Sequence, residues 1–236
     1  MLHTTIYYGL LVLLAIGLLF AAVTDLQHRR IDNWLNLAIA LAAPLFWWAG
    51  DLALWPDVAL QVGVALAAFA IAAGLFAIGQ MGGGDVKLIA ALALWFPPPL
   101  FVHMLVIMAV LGYVLTMGLG ALRVGRSEVA RGSRDIPVQI ALSFVAAVLI
   151  ASFSGLVSVP LPTFVRDAAS SSMLIAVAVL QLPVLILAYV SIHAIRIFRR
   201  REVRIEAPYG VAISGAALWS IAGLLAAAVP IGPAFA

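Results

Sequence analysis

Long apolar runs separated by short polar turns recur along the whole chain, and they constrain its fold more than any other feature. Of the 236 residues, 65% are hydrophobic and only 10% are charged, whereas a soluble domain carries roughly 25% charged residues. A run of about 18 apolar residues is long enough to cross a bilayer as a helix. The period-two alternation typical of a membrane β-barrel is not found in these runs. The sequence therefore predicts an all-α, polytopic membrane helix bundle.

Eight apolar segments are distinguished. Their approximate bounds are 5–24, 33–50, 58–80, 86–96, 99–122, 137–159, 172–197 and 208–229. The fourth segment reaches only about 17 Å, little more than half of the hydrocarbon core. Because Pro97, Pro98 and Pro99 follow it and proline cannot continue a helix interior, we expect a turn there. Residues 1–236 are predicted to form a single membrane domain.

The basic residues indicate the orientation of the chain. When the turns are assigned alternately to two sides, all 13 lysines and arginines except Arg166 fall on the same side. The positive-inside rule makes this side cytoplasmic and places both termini outside. The net charge of +3 is thus explained by topology, and we predict a lipid bilayer but no nucleic acid as a partner. Asp25, which ends the first segment, and Asp85, which begins the fourth, are expected in the same leaflet.

Asp85 follows three consecutive glycines between two apolar runs. A carboxylate at the mouth of a membrane helix is costly, so it is a candidate for function. The backbone of Gly82, Gly83 and Gly84 can approach an extended substrate closely and offer it main-chain hydrogen bonds. Asp85 is expected near the N-terminus of a helix, where the dipole favours an anion. Simple capping of that helix is the alternative.

Asp25 supplies a second carboxylate. Two carboxylates within hydrogen-bonding reach share one proton, so that one member can accept a proton from water while the other donates to a scissile carbonyl or a leaving amine. Asp32 is the alternative to Asp25 because it lies on the same side, and spacing alone does not decide between them. A plain interfacial pairing of Asp25 with Arg29 is also open.

This chemistry requires neither a metal nor a thiol. The chain contains no cysteine, which excludes disulfides, thiolate zinc sites and a cysteine nucleophile. No group of histidines, aspartates and glutamates has metal-ligand spacing in the sequence. We therefore predict no catalytic metal and no cofactor.

Three short blocks occur in order along the chain. They are residues 22–33 (AVTDLQHRRIDN), 82–88 (GGGDVKL) and 207–213 (APYGVAI). Together they resemble the two catalytic blocks and the Pro-Tyr/Phe-Gly block of bacterial type IV prepilin peptidases, which are GxGD aspartyl proteases. Asp32 stands where this family commonly has proline.

The resemblance implies a membrane aspartyl endopeptidase that cleaves the basic leader of prepilins or pseudopilins, just before the apolar helix of the pilin, at the cytoplasmic face of the bacterial inner membrane. It assigns the catalytic pair to Asp25 and Asp85. It also implies a set of substrate-positioning residues, namely Gly82, Gly83, Gly84, Lys87, Asn33, Pro208, Tyr209 and Gly210. The pilus assembly machinery is a further expected partner.

The chain is similar to the short, Flp/Tad-pilus type of this family. Larger members also methylate the new N-terminus and carry a cytoplasmic segment with paired cysteines, for which there is no room between residues 33 and 80. Cleavage without methylation is therefore expected. Short members have six membrane segments, so residues 1–122 and 205–229 are predicted to form the peptidase core. Residues 137–197 then form an inserted transmembrane hairpin, to which we assign no role.

Two other classes of function use the same features. A small proton-coupled carrier also contains buried carboxylates and glycine-broken helices, although a carrier places its carboxylates near the bilayer midplane. A non-catalytic subunit of a pilus machine is the other class, and for such a subunit the carboxylates are dispensable for pilin processing.

Overall fold

The computed structural model describes residues 2–125 and 208–228 of the chain. Within these ranges there are six α-helices and no strand, so the prediction of an all-α fold is confirmed. The helices are α1 Leu2–His28, α2 Asn33–Ala49, α3 Ala59–Ala77, α4 Gly83–Ala93, α5 Pro98–Gly125 and α6 Tyr209–Ala228. A short helical turn, Leu54–Val58, precedes α3.

Six of the eight predicted segments correspond to these helices. The other two, 137–159 and 172–197, lie outside the described residues, so the count of eight segments and the inserted hairpin 137–197 remain predictions. The predicted turn at the prolines is present: α4 ends at Ala93, and α5 begins at Pro98. Proline is tolerated in the first turn of a helix because its missing N–H would have no intrahelical partner there.

Four of the described helical stretches are long and apolar enough to cross a bilayer. They are Leu2–His28, Leu54–Ala77, Pro98–Thr116 and Tyr209–Ala226. By contrast α2 has 17 residues and α4 has only 11. Large apolar side chains such as Leu13 and Leu66 remain exposed on the long helices, as expected of surfaces that face lipid. These features support a multi-pass membrane protein.

The chain divides into two compact units, Met1–Met108 with Pro208–Ala236, and Ala109–Ala207. In the first unit, α1 packs against α2 and α6, while α4 packs against α2, α3 and α6. Seven of the 11 residues of α4 are buried. Three helices enclose α4, so most of this short helix is buried. Of the second unit, the structure describes the part of α5 that ends at Gly125.

Small side chains bring α1 and α6 close together. On α6, Ser214, Ala216 and Ala217 are fully buried, and so are Leu18 and Ala21 on α1. Small residues allow the backbones of two membrane helices to approach closely. This packing holds the beginning of α6 beside the end of α1.

Two tryptophans connect α2 with the turn that follows α4. The Trp47 Nε1–H donates to the carbonyl oxygen of Leu94 at 2.7 Å, and the Trp95 Nε1–H donates to that of Ile39 at 2.9 Å. Trp95 is only 2% exposed and its ring lies 4.8 Å from that of Phe46. Since a buried indole N–H requires an acceptor, the two bonds fix the register of α2 against α4.

We expect Trp95→Phe to lower the free energy of unfolding by about 1–2 kcal/mol, because it removes a buried hydrogen bond. Trp55 is 81% exposed, so Trp55→Phe is the matched control and should change stability by less than about 0.5 kcal/mol. Titration with sodium dodecyl sulfate in mixed micelles, followed by circular dichroism, measures both. Equal effects of the two changes would contradict the register argument.

Candidate active site

Asp25 lies in the last turn of α1, which ends at His28. Arg29 follows in the left-handed conformation, with φ of 54°, and its N–H donates to the carbonyl oxygen of Asp25 at 3.0 Å. This conformation is uncommon for a residue other than glycine. It turns the chain at the helix end, so that Arg29 and Arg30 line the same cavity as Asp25. The Asp25 side chain itself is 6% exposed.

Asp85 lies in the first turn of α4, for which Gly82 is the N-cap residue. Its Oδ2 accepts a hydrogen bond from the Gly82 N–H at 3.2 Å. Glycine has no side chain to return the contact, so this is one half of a capping box. The capping alternative therefore describes a real contact of Asp85. It does not account for the position of the carboxyl group, which also lines a cavity together with Asp25.

This catalytic cavity has a volume of about 410 Å³ and joins the end of α1 to the beginning of α4. Both carboxylates line it, and they are surrounded by the glycine turn and by the connection between α1 and α2. The remaining lining residues are Arg29, Arg30, Ile31, Asp32, Asn33, Gly82, Gly83 and Gly84. Two carboxylates that are far apart in the sequence therefore line one cavity.

Burial is the main cause that raises the pKa of Asp85 from 3.8 to about 6. The charge of Asp25 raises this pKa as well, while the hydrogen bond from the Gly82 N–H lowers it. Asp85 lies outside the four candidate membrane spans. A carboxyl group that keeps its proton close to neutral pH can serve as a general acid.

The first turn of α6 covers Asp25. A Cβ placed on Gly210 would lie 2.8 Å from the Asp25 Oδ2 and 2.8 Å from the Ile31 Cδ1, so a larger residue there requires these side chains to shift. The backbone amides of Gly210 and Val211 interact with the Asp25 carboxylate. Its Oδ2 atom is nevertheless buried without a hydrogen-bond partner among the described residues. One acceptor of the site is thus left open.

Contacts from α2 hold the glycine turn in place. The Asn36 Nδ2 donates to the carbonyl oxygen of Gly84 at 3.2 Å, and the Lys87 Nζ donates to the Asn33 Oδ1 at 2.7 Å. Gly84 also packs on Ile31, since a Cβ at Gly84 would lie 3.2 Å from the Ile31 carbonyl oxygen. Two hydrogen bonds and one close backbone approach therefore fix this turn against α2 and the connection that precedes α2.

The structure gathers eight of the ten predicted site residues in one region. Six of them line the catalytic cavity, Lys87 contacts Asn33, and Gly210 lies against Asp25. Pro208 and Tyr209 begin α6 without lining this cavity. Pro208 is buried and its carbonyl oxygen accepts the Val211 N–H, whereas Tyr209 is 39% exposed.

Asp32, the alternative to Asp25, lines the same cavity, but its environment differs. It is exposed, and its Oδ2 accepts a hydrogen bond from the Trp34 Nε1–H at 3.3 Å. Asp25 is the buried member of the two and contacts the beginning of α6. No group of three histidine, aspartate or glutamate side chains in residues 2–125 and 208–228 could hold a metal ion.

Among the residues of the site that the sequence did not predict, two contact the glycine turn. Ile31 packs against Gly84 and against the position of Gly210, and Asn36 bonds to the glycine turn. Each has a feature in the sequence that could have indicated it. Ile31 is an apolar residue inside a polar turn, and Asn36 is a polar residue inside an apolar helix, where it requires a hydrogen-bond partner.

The described fold and cavity define an α-helical membrane protein in which two carboxylates face one polar cavity. Residues 12–117 match the model of the type IV leader peptidase family, and this range contains both Asp25 and Asp85. The match confirms the resemblance found in the sequence and supports a prepilin peptidase-type family, which implies a protease of the aspartic type in a multi-pass membrane protein. Comparison with curated proteins and with solved structures gave no match.

We expect Gly210→Ala to lower the free energy of unfolding by about 1–3 kcal/mol, because the added methyl group overlaps Asp25 and Ile31. Gly223 is the matched control on the same helix, since a Cβ there meets nothing within 4 Å. Gly223→Ala should stabilise the protein by about 0.5–1 kcal/mol through helix propensity. Denaturation in mixed micelles measures both, and a stabilising Gly210→Ala would show that the close approach is absent.

Proposed function

We propose that the protein is an endopeptidase that removes the leader peptide of prepilins or pseudopilins at the cytoplasmic face of the bacterial inner membrane. The observation that carries the proposal is that Asp25 and Asp85, from two helices far apart in sequence, line one cavity. The family match over residues 12–117 supports the same reaction.

In the proposed mechanism, Asp85 holds the shared proton because its pKa is raised to about 6, and Asp25 is ionised. Asp25 takes a proton from a water molecule, whose oxygen attacks the scissile carbonyl carbon, while Asp85 donates its proton to the carbonyl oxygen. The resulting diol then collapses. The C–N bond breaks, Asp25 gives its proton to the leaving nitrogen, and Asp85 recovers a proton from a hydroxyl group of the diol, which restores both residues.

The other predicted site residues have supporting roles in this proposal. The backbone of Gly82 and Gly83 lies beside the extended leader and offers it main-chain hydrogen bonds. The hydrogen bond between Lys87 and Asn33 holds the glycine turn, and Gly210 leaves room for Asp25. Pro208 precedes α6 and Tyr209 begins it, and the exposed Tyr209 ring is accessible to a substrate. Gly84 allows the glycine turn to pack closely on Ile31.

We also propose that cleavage occurs without methylation of the new N-terminus. The chain has no cysteine, whereas the resemblance attributes a cytoplasmic segment with paired cysteines to methylating members. Mass spectrometry of the cleaved pilin with S-adenosylmethionine present should therefore find a free, unmethylated amine.

A proton-coupled carrier is less well supported by the geometry. Asp25 lies in the last turn of α1 and Asp85 in the first turn of α4. A carrier binds its substrate and coupling ion near the bilayer midplane, between the halves of broken helices. Carboxylates at helix ends suit a reaction at an interface better.

Asp25→Asn and Asp85→Asn should each reduce leader cleavage on the order of a thousandfold or more, because asparagine keeps the shape but cannot exchange the proton. Asp32→Asn is the matched control from the same cavity and should retain most of the activity. The assay is cleavage of a purified precursor in proteoliposomes, with insertion of each variant checked by alkaline extraction. Normal processing by both catalytic variants would contradict the proposal. Loss of activity in Asp32→Asn but not in Asp25→Asn would assign Asp32, in place of Asp25, to the catalytic pair.

The pH dependence follows from the raised pKa of Asp85. Above about pH 6 this carboxyl loses its proton, so kcat/KM should fall, by roughly tenfold for each pH unit well above the pKa. A loss of folded protein does not explain a fall of kcat/KM above about pH 6. The native state holds the Asp85 proton more tightly than the unfolded chain, so stability from this group decreases as pH rises from 3.8 to about 6 and is constant above it. A kcat/KM that is flat up to about pH 9 would contradict the assignment.

A further inference from the structure

A second cavity lies beside the catalytic cavity and is mostly apolar. Its volume is about 610 Å³, and Asn33 lines both cavities. Its walls come from α2, α3 and α4, and we call it the apolar groove. Representative wall residues are Leu37, Ala40, Val62, Phe69, Ala90 and Leu94.

The end of the apolar groove beside the catalytic cavity is polar. Asn33, Asn36 and Lys87 line this end. Asn36 is only 4% exposed; its Nδ2 donates to the carbonyl oxygen of Gly84, but its Oδ1 is buried without a partner among the described residues. A buried acceptor without a donor is costly. An N–H group of a molecule in the groove would satisfy this acceptor.

The open side of the groove is accessible from the surface that faces lipid. Leu37 and Phe69 line the groove and are about half exposed. An apolar segment already embedded in the bilayer can therefore enter from the side. Such a segment does not have to pass through the polar catalytic cavity, which contains Arg29, Arg30 and the carboxylates.

We propose that the apolar groove binds the apolar segment of the precursor that follows the cleavage point, which makes it a determinant of substrate specificity. This inference rests on the proposed function. The order of the surfaces on the protein matches the order of the parts of the substrate. The polar cavity with the two carboxylates matches the polar leader and the scissile bond, and the apolar groove beyond Asn33 matches the apolar helix. A backbone N–H next to the cleavage point donates to the Asn36 Oδ1.

The first test fills the groove. Ala40→Phe places a large side chain in it, whereas Ala38→Phe on the same helix is exposed and lines neither cavity. Two substrates are compared: the full precursor and a short peptide that spans the cleavage point but lacks the apolar segment. The ratio of kcat/KM for the precursor to that for the peptide should fall about tenfold or more in Ala40→Phe, and stay at the wild-type value in Ala38→Phe.

General damage to the enzyme lowers both values together and leaves this ratio unchanged, so an unchanged ratio in Ala40→Phe overturns the inference. Failure of the proposed function gives a different result, because the wild-type protein then cleaves neither substrate.

The second test detects binding without catalysis. A photoreactive phenylalanine replaces Leu37, which lines the groove, or Leu41, which is one turn further along α2 and does not. The Asp85→Asn background keeps the precursor intact in proteoliposomes of phosphatidylethanolamine and phosphatidylglycerol. We expect crosslinks from position 37 to the apolar segment of the precursor and few from position 41. Crosslinks from position 37 to lipid alone would show that lipid occupies the groove and would overturn the inference.

Discussion

The close approach of Gly84 to the backbone of Ile31 determines where both carboxylates lie. Ile31 belongs to the turn that follows Asp25, and Gly84 immediately precedes Asp85, so this single contact joins the two halves of the site. A Cβ at Gly84 would lie 3.1 Å from the Ile31 Cβ and 3.2 Å from the Ile31 carbonyl oxygen, so a larger residue there requires these neighbours to give way by a few tenths of an ångström. The hydrogen bond from Asn36 to the Gly84 carbonyl oxygen then fixes the turn in the position that glycine allows. The same Ile31 side chain limits the space at Gly210, so α6 is located by the same turn.

The short length of α4 follows from this arrangement. A helix of 11 residues does not cross the bilayer alone, yet it presents Asp85 at a polar cavity and buries most of its remaining residues among α2, α3 and α6. Two tryptophans anchor the turn at the far end of α4. The Trp47 N–H of α2 donates to the carbonyl oxygen of Leu94, and the Trp95 N–H donates to the carbonyl oxygen of Ile39 in α2. The helix is thus held at both ends, by glycine packing at one and by tryptophan at the other. A carboxyl group on so constrained a helix keeps a defined position relative to Asp25, which acid–base chemistry requires.

The sequence predicted the helices well and the contacts between them poorly. Apolar runs and the three prolines were sufficient to locate α1 to α6, because length and helix breaking are local properties. The resemblance assigned site roles to Asp25, Asp85 and Gly210, and the structure places Gly210 against the Asp25 side chain. Ile31 and Asn36 were missed because they contact residues far away in the sequence, which no local pattern around them reveals. The predicted hairpin 137–197 lies outside the described residues. The direction of the termini is defined only relative to a membrane.

Two of the buried polar atoms that have no partner in the described residues belong to this region. The Asp25 Oδ2 lies at the catalytic cavity and the Asn36 Oδ1 at the entrance of the apolar groove. Leaving an acceptor unsatisfied costs about 1–3 kcal/mol each, and a helix bundle selected for stability alone would replace both groups with apolar ones. Their retention is understandable if each receives a hydrogen only when a substrate is present, one from the attacking water and one from a backbone N–H. Since Asn33 lines both cavities, the two acceptors mark a direction, from the polar cavity into the groove, along which an extended chain would change from polar to apolar.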